Sequence, residues 1–299
     1  MKVGILSVNR RLYSTRRLWE SARKRGHDVR FLNPRRCAVS WMPSGAAITQ
    51  GGLPMEGMDV VIPRIGTSVT ETGLIVLRQL EAEGVITPNG ADAIEESRDK
   101  LRSIQRLSQG GIPVPPSLFV DIPEEIEECV ERLGGMPVIV KLLRGTQGVG
   151  VIKVGELDQL RSTVETLWTL GERILLQRYI AESSGRDLRL FVVGARVVAA
   201  MERESQPGEF RSNLHRGGTG KGVRPDEMMQ TVALQAARCL GLGIAGVDLL
   251  LSDDGPLVLE VNSSPGLEGI EAATGRDVAR DIVKYLERLP SAALVTDGE

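Results

Sequence analysis

Asp248, Glu260 and Asn262 carry the side-chain oxygens whose spacing says most about chemistry in this 299-residue chain. They lie within Ile-Ala-Gly-Val-Asp-Leu-Leu-Leu-Ser-Asp-Asp-Gly-Pro-Leu-Val-Leu-Glu-Val-Asn, residues 244–262, where two apolar runs flank a turn. Read as a three-residue hairpin loop with Gly at the left-handed position, Asp253-Asp254-Gly255 pairs Ser252 with Pro256. That register sets Asp248 opposite Glu260 and puts Asn262 on the same face two residues later. Hard oxygen donors without His or Cys suit Mg²⁺ or Mn²⁺, and Mg²⁺ is commonly held by one or two carboxylates together with substrate phosphates. The competing reading is an amphipathic hairpin with a solvated acidic face. Leu249, Leu251, Leu259 and Val261 form an opposite, apolar face, and two carboxylates directly across a ladder repel unless a cation lies between them.

Lys141 ends the run Val138-Ile139-Val140 and precedes Gly145-Thr146-Gln147-Gly148-Val149-Gly150. Glycines admit phosphate oxygens close to backbone N–H groups and a lysine adds a point charge, although a hairpin turn with a lysine that guards against aggregation fits the same residues. It is not a Walker A loop, because Val151-Ile152-Lys153 follows instead of Lys-Ser/Thr and a helix. Leu175–Ile180 reads as a strand whose edge could offer backbone groups to an adenine ring, and Asp187 beyond it could accept from ribose hydroxyls or serve as an ordinary turn residue. Arg189, Arg203, Arg211, Ser212, Asn213, His215 and Arg216 crowd into 28 residues. Arginine forks fit carboxylates and phosphates bidentately.

The elements that position these groups fall into two kinds. Residues 1–90 alternate short strands (Val3–Leu6, Val29–Leu32, Val60–Pro63, Val85–Thr87) with helices through Arg16–Arg25 and Thr72–Glu83, the rhythm of a βαβ sheet. Its first turn, Ser7-Val8-Asn9-Arg10, lacks the glycines of a dinucleotide site. Residues 37–57 form an irregular excursion with a small hairpin around Ala46–Thr49. A helix from about Asp92 to Gln109 stops at Gly110-Gly111, and Pro113, Pro115 and Pro116 impose an extended link. Beyond it, strand pairs mix with helices at 157–170, 225–240 and 277–289, an α+β pattern.

Net charge −2 leaves no global footprint for nucleic acid, and the Arg10, Arg11, Arg16, Arg17 cluster reads as a solvated face. Cys37, Cys129 and Cys239 are odd in number and widely spaced, which disfavours a disulfide framework and fits a reducing cytoplasm. The longest apolar run, Leu188–Met201, is interrupted by Arg196, so no membrane span is expected.

Taken in order, Ser97-Arg-Asp-Lys-Leu-Arg102, Val140-Lys-Leu-Leu-Arg-Gly-Thr-Gln-Gly-Val-Gly150, Phe210-Arg-Ser-Asn-Leu-His-Arg-Gly-Gly218 and Leu259-Glu-Val-Asn-Ser-Ser-Pro-Gly-Leu-Glu-Gly-Ile-Glu271 resemble the ATP-grasp carboxylate–amine ligases. Within them the chain is similar to the RimK branch, which extends the C-terminus of a small-subunit ribosomal protein with glutamate. The resemblance implies an α/β plus α+β chain: a pre-ATP-grasp domain over 1–95, a central subdomain with the glycine-rich loop over 96–175, and a C-terminal subdomain with the metal hairpin over 176–299. ATP would be clamped between the last two, with Lys100, Lys141, Gly145, Gln147 and Gly148 on the phosphates, Gln177, Arg178, Tyr179 and Ile180 at the adenine and Asp187 at the ribose. Arg211, Ser212 and Asn213 would serve the nucleotide and substrate region, Arg203, Arg211 and Asn213 the catalytic charge, and Asp248, Glu260 and Asn262 two Mg²⁺ or Mn²⁺ ions. Arg178 stands where the family more often has Glu. A carboxylate would be phosphorylated by ATP and the acyl phosphate captured by an amine. The implied partners are ATP, L-glutamate, a ribosomal-protein C-terminus or glutamyl peptide, and a second copy of the chain in a homo-oligomer. Two rivals are a ligase for small molecules or carrier proteins, as in lysine biosynthesis or coenzyme glutamylation, and an ATP-binding regulatory module without turnover.

Overall fold

The first parallel sheet forms from short apolar runs within residues 1–86, joined by a helix between the first two strands and by a small antiparallel excursion between the second and third. A computed structural model describes residues 1–289 except 56, 144–149, 207 and 213–216. Strand β1 (Lys2–Leu6) lies between β2 (Asp28–Leu32) and β6 (Val60–Pro63), all parallel. The expected strand at 85–87 contributes only a bridge from Ile86 to Val60. Between β2 and β6, residues 37–54 make a small antiparallel sheet of β3 (Cys37–Met42), β4 (Gly45–Gln50) and β5 (Leu53–Pro54). Alternation sends Val3 and Ile5 to one face and Leu6 and Val61 to the other, where helix α2 (Thr70–Ala82) covers them.

The face carrying Val3 and Ile5 has no core of its own. It packs with helix α1 (Tyr13–Lys24) against C-terminal residues Phe191, Val193, Met201, Ile282 and Val283. The two ends of the chain therefore share one apolar cluster. Asn89, 2% exposed, adds a polar tie: its amide donates to the carbonyls of Ile244 and Ser263 at 2.7 and 2.8 Å and accepts from Ile244 N at 2.8 Å.

The single helix read over 92–109 is two helices, α3 (Ala91–Arg98) and α4 (Lys100–Gln109). Asp99 adopts an extended conformation between them and its carboxylate accepts from Leu101 N and Arg102 N at 3.0 Å, so an N-cap residue interrupts an otherwise helical pattern.

Next comes a four-stranded sheet, β7 (Ser117–Phe119), β8 (Val138–Leu142), β9 (Val151–Val154) and β10 (Ile174–Arg178), in the order β7-β10-β8-β9, backed by α5 (Ile126–Arg132) and α6 (Leu157–Thr169). Val138, Val140, Ile174 and Leu176 point into the helices. The alternate residues Ile139, Lys141, Leu175 and Gln177 must then face the other way. A five-stranded antiparallel sheet ends the fold, from β11 (Arg186–Val193), β12 (Arg196–Glu204), β13 (Thr219–Gly222), β14 (Ile244–Ser252) and β15 (Gly255–Asn262), in the order β13-β12-β11-β14-β15. Helix α7 (Glu227–Cys239) covers the face of Leu188, Leu190, Ala245, Val247 and Leu249. On the opposite face the rows change character along the strands: Phe191 and Val193 give way to Arg189 and Asp187, Met201 to Arg203, and Ile244 to Asp248. The apolar end packs on the N-terminal sheet and the charged end lines a cleft. Helices α8 (Glu268–Thr274) and α9 (Val278–Leu286) are the last among the described residues, and α9 packs on α1. Among the described residues no helix is long and apolar enough to cross a membrane.

Candidate active site

The hairpin register comes about differently from the sequence reading. Ser252 pairs with Gly255, not Pro256, so the loop is the two residues Asp253-Asp254. That register alone would misalign Asp248 and Glu260 by one residue. A bulge corrects it: Leu249 pairs with Val258 and Asp248 with Glu260, leaving Leu259 as the extra residue. Leu259 consequently turns to the cleft beside Leu250 instead of joining the apolar face expected for it.

One of the two opposed carboxylates is clamped directly by arginines. Asp248, 2% exposed, receives Arg189 Nε and Nη2 at 2.7 and 2.6 Å and Arg203 Nη2 at 2.9 Å. Arg203 also grips Asp187 from Nε at 2.6 Å, and Ser212 adds a side-chain hydrogen bond to Asp187. Burial opposes ionisation of Asp248, but Arg189 and Arg203 together outweigh it and hold the carboxyl below its usual range. The same two carboxylates hold the Arg203 guanidinium firmly protonated against its burial. With its amide turned to suit its neighbours, Asn262 donates to Glu260 Oε1 at 2.8 Å and accepts from Arg189 Nη2 at 3.3 Å.

Glu260 differs from Asp248. Among the described residues no arginine clamps it, and solvent reaches it through the cleft mouth, although protein surrounds it on the cleft floor. That enclosure, and then the Asp248 charge, push its carboxyl upward. Across the cleft, enclosure also pulls the Lys141 ammonium down to about 8, helped by Lys100 and opposed by Glu260. Lys100, at the first turn of α4, donates to the carbonyl of Leu142 at 2.6 Å and is likewise lowered by burial. The break at Asp99 starts α4 anew and aims this lysine at the end of β8.

These groups, Arg189 excepted, open on one cavity of about 440 Å³ between the two antiparallel sheets. It brings together Lys100, Lys141, Gln177, Arg178, Tyr179, Ile180, Asp187, Arg203, Arg211, Ser212, Asp248, Glu260 and Asn262. Gly145, Gln147, Gly148 and Asn213 lie outside the described residues. The strand offered to adenine is no edge: β10 lies between β7 and β8, Arg178 N donates to Pro116 O at 2.8 Å, and Gln177 Nε2 donates to Ser117 Oγ at 2.8 Å. Only Tyr179 and Ile180 lie beyond the strand's end. Tyr179 is held by a 2.6 Å bond to Ser184 Oγ and by Lys153, 3.8 Å over its ring. Arg211 forks onto Glu209, with Nε at 2.9 Å and Nη2 at 2.8 Å.

Sequence reasoning gave Arg189 no role apart from the neighbouring arginines, quoted Arg98 and Ser263 only within longer strings, and passed over Ile65–Thr67; all of these line the same cavity or touch its carboxylates. The only signal in the text was position: residues just after a parallel strand commonly meet a ligand. Arg17, read as part of a solvated cluster, instead donates to Glu271 Oε2 and Asp277 Oδ1 at 2.9 Å. Glu271 also takes Tyr13 OH at 2.9 Å and Ala279 N at 3.1 Å, a structural junction of α1, α8 and α9.

Three structures similar in fold share this arrangement of elements. The ATP-grasp ligase PsnB complexed with minimal precursor has a TM-score of 0.77 at 21% identity, covering 95% of this chain and 98% of PsnB. A RimK domain ATP-grasp protein from Sphaerobacter thermophilus has 0.71 at 22%, covering 95% and 99%. The D-cycloserine synthetase DcsG has 0.72 at 20%, covering 97% and 100%. The fold is thus that of the ATP-grasp ligases. Residues 1–94 match the RimK pre-ATP-grasp domain and residues 97–286 the RimK-like ATP-grasp domain. Proteins named probable alpha-L-glutamate ligase from Xanthomonas oryzae pv. oryzae and Pseudoalteromonas translucida are 52% and 49% identical, covering 96% and 98% of this chain and 98% and 97% of theirs. The chain belongs to the RimK-like ATP-grasp family and is an ATP-dependent ligase.

Proposed function

We propose that the chain joins L-glutamate through its α-amine to the C-terminal carboxylate of a peptide or protein, the end of a small-subunit ribosomal protein or a glutamyl peptide, with ADP and phosphate released. The observation that carries the reading is the cleft itself: two lysines on one wall face Asp248, Glu260 and Asn262 on the other. Relatives at about half identity, named probable alpha-L-glutamate ligase, support glutamate as the amino acid joined.

In this reading an oxygen of the acceptor carboxylate attacks the γ-phosphorus, and the bond from that phosphorus to the ADP oxygen breaks. The glutamate amine then attacks the acyl carbon, phosphate leaves with the former carboxylate oxygen, and the amine proton passes to solvent. Lys141 and Lys100 stand at the end of β8 to balance phosphate charge. Tyr179 and Ile180 would hold the adenine, and Asp187 and Ser212 the ribose side, while Arg203 fixes Asp187 and Asp248 in place more than it meets substrate. The chemistry requires no enzyme nucleophile, so the site's part is positioning and charge neutralisation.

Asp248, Glu260 and Asn262 fit Mg²⁺. Their oxygens are hard donors, and a carboxylate offers about four acceptor positions, of which the arginines occupy three on Asp248. When bound, the ion would neutralise charge on the nucleotide phosphates. Phosphate release with each amino acid, alone and with peptides bearing a free or amidated C-terminus, followed by product mass spectrometry, tests the reading. Turnover with another amino acid and none with glutamate would refute the substrate while leaving the ligase fold intact.

A further inference from the structure

The cleft extends past Asn262 toward the carboxyl ends of β1 and β6, a region the nucleotide reading does not use. In a parallel sheet these ends are where ligands are commonly met. Pro63 ends β6, and the next residues are Arg64 and the cleft-lining Ile65-Gly66-Thr67. Arg98, at the end of α3, lines the same corner and donates to Thr70 Oγ1 at 2.6 Å and to the Ile65 carbonyl. From the hairpin side come Ser264, whose Oγ donates to Pro63 O at 3.4 Å, and Ser263, 4% exposed, whose Oγ is buried without a hydrogen-bond partner.

Among the described residues no carboxylate lies within 4.0 Å of Arg64 or Arg98, whereas Arg17, Arg25, Arg78, Arg189, Arg203 and Arg211 each pair with one. Burial and the neighbouring charge of Arg98 pull the Arg64 guanidinium down to about 10. Two half-buried like charges without counter-ions among the described residues cost stability, and perturbed charges of this kind gather at functional sites.

We infer that Arg64 and Arg98 form a subsite for the carboxylates of the incoming acidic amino acid, those that remain anionic while the acceptor carboxylate is phosphorylated. The inference rests on the glutamate-ligase reading and deepens it. An anion that survives the whole reaction needs a fixed cation, and a fork-shaped donor suits a planar carboxylate. The corner adjoins Asn262, so an amino acid held there would have its amine near the end of the metal hairpin. Arg98 also anchors Ile65–Thr70, which makes Arg64, with no hydrogen bond from its side chain among the described residues, the cleaner position to test.

Arg64→Met and Arg64→Lys are compared with the unaltered enzyme in phosphate release and product mass spectrometry, using glutamate, glutamine and isoglutamine. In Arg64→Met the KM for glutamate should rise about tenfold or more, as on losing one side of a charge-assisted pair, with the KM for ATP within about twofold. Preference for glutamate should shrink against glutamine if the γ-carboxylate is held there and against isoglutamine if the α-carboxylate is. Arg64→Lys should recover most of both. A glutamate KM and preference unchanged in Arg64→Met, whatever its melting temperature, overturn the subsite and leave the ligase reading standing. An unaltered enzyme that forms no glutamyl amide sinks the ligase reading instead. Titration calorimetry of glutamate into Mg·ADP-loaded protein then decides the subsite: binding lost in Arg64→Met supports it, and equal binding to both proteins, or to neither, overturns it.

Discussion

Asp248→Asn and Glu260→Gln should both stop turnover, yet only the first should weaken the fold. The two residues face each other across one ladder but have different surroundings. Asp248 is buried and takes three hydrogen bonds from two guanidinium groups. Breaking a buried ion pair by neutralising one partner costs about 3–5 kcal/mol, because the other charge is stranded. Arg203 would keep Asp187, and Arg189 has a side chain 17% exposed, so the lower end, about 3 kcal/mol, applies. For a chain of 299 residues that is a loss of about 5 °C in melting temperature. Glu260 has no such clamp, and its carboxyl is shifted upward by its enclosure and by Asp248. A raised carboxyl pKa means the ionised form opposes folding at neutral pH, a cost that shrinks on acidification. Replacing it with neutral Gln should therefore leave stability unchanged or slightly improved. Urea unfolding at pH 7.5 without nucleotide gives the free energies, and phosphate release gives turnover, which should fall about a hundredfold or more in each. Equal stability losses in the two variants, or none in Asp248→Asn, would refute the reasoning from the arginine clamp.

Lys141 is held at about 8, so ATP affinity should fall about tenfold per pH unit above that value as the ammonium loses its proton. By linkage ATP binding should be accompanied by proton uptake at Lys141 near pH 8–9, visible by calorimetry in buffers of different ionisation enthalpy. Lys141→Arg should move the alkaline limb upward. Asp99→Ala removes the cap of α4 and should cost about 1 kcal/mol in urea unfolding and, because Lys100 follows directly, raise the KM for ATP. Glu271→Gln should lose about 1.5–3 kcal/mol through Tyr13, Arg17 and Ala279 while the folded enzyme keeps its kcat.

Residue alternation made much of the site legible. Once Val138 and Val140 are taken as core, Lys141 must face the cleft, and the same parity places Asp248 with Leu250 and against Val247 and Leu249. The opposition of Asp248 and Glu260 came out of the text by a wrong route, since the shorter loop and the bulge at Leu259 offset each other and neither Gly nor Pro marks the bulge. What stayed hidden depends on pairing over long separations. Arg189 and Arg203 reach Asp248 from 59 and 45 residues away, through the order of strands in the last sheet. Local sequence shows the arginines but not their partners. Arg64 and Arg98 were hidden for the same reason, brought together only where β6, α3 and the segment after β15 converge. The break at Asp99 was legible in principle, as an N-cap residue within a helical stretch, but the apolar periodicity continues across it.

Transfer of isotope from the acceptor carboxylate tests the central claim most directly. A glutamyl peptide labelled with ¹⁸O in its C-terminal carboxylate would be incubated with the enzyme, ATP, Mg²⁺ and L-glutamate, and the phosphate and peptide products weighed by mass spectrometry. Phosphorylation of the carboxylate followed by attack of the amine predicts one ¹⁸O in each phosphate released and one glutamate added for each phosphate. Peptide extension with unlabelled phosphate, or labelled phosphate without peptide extension, would contradict it.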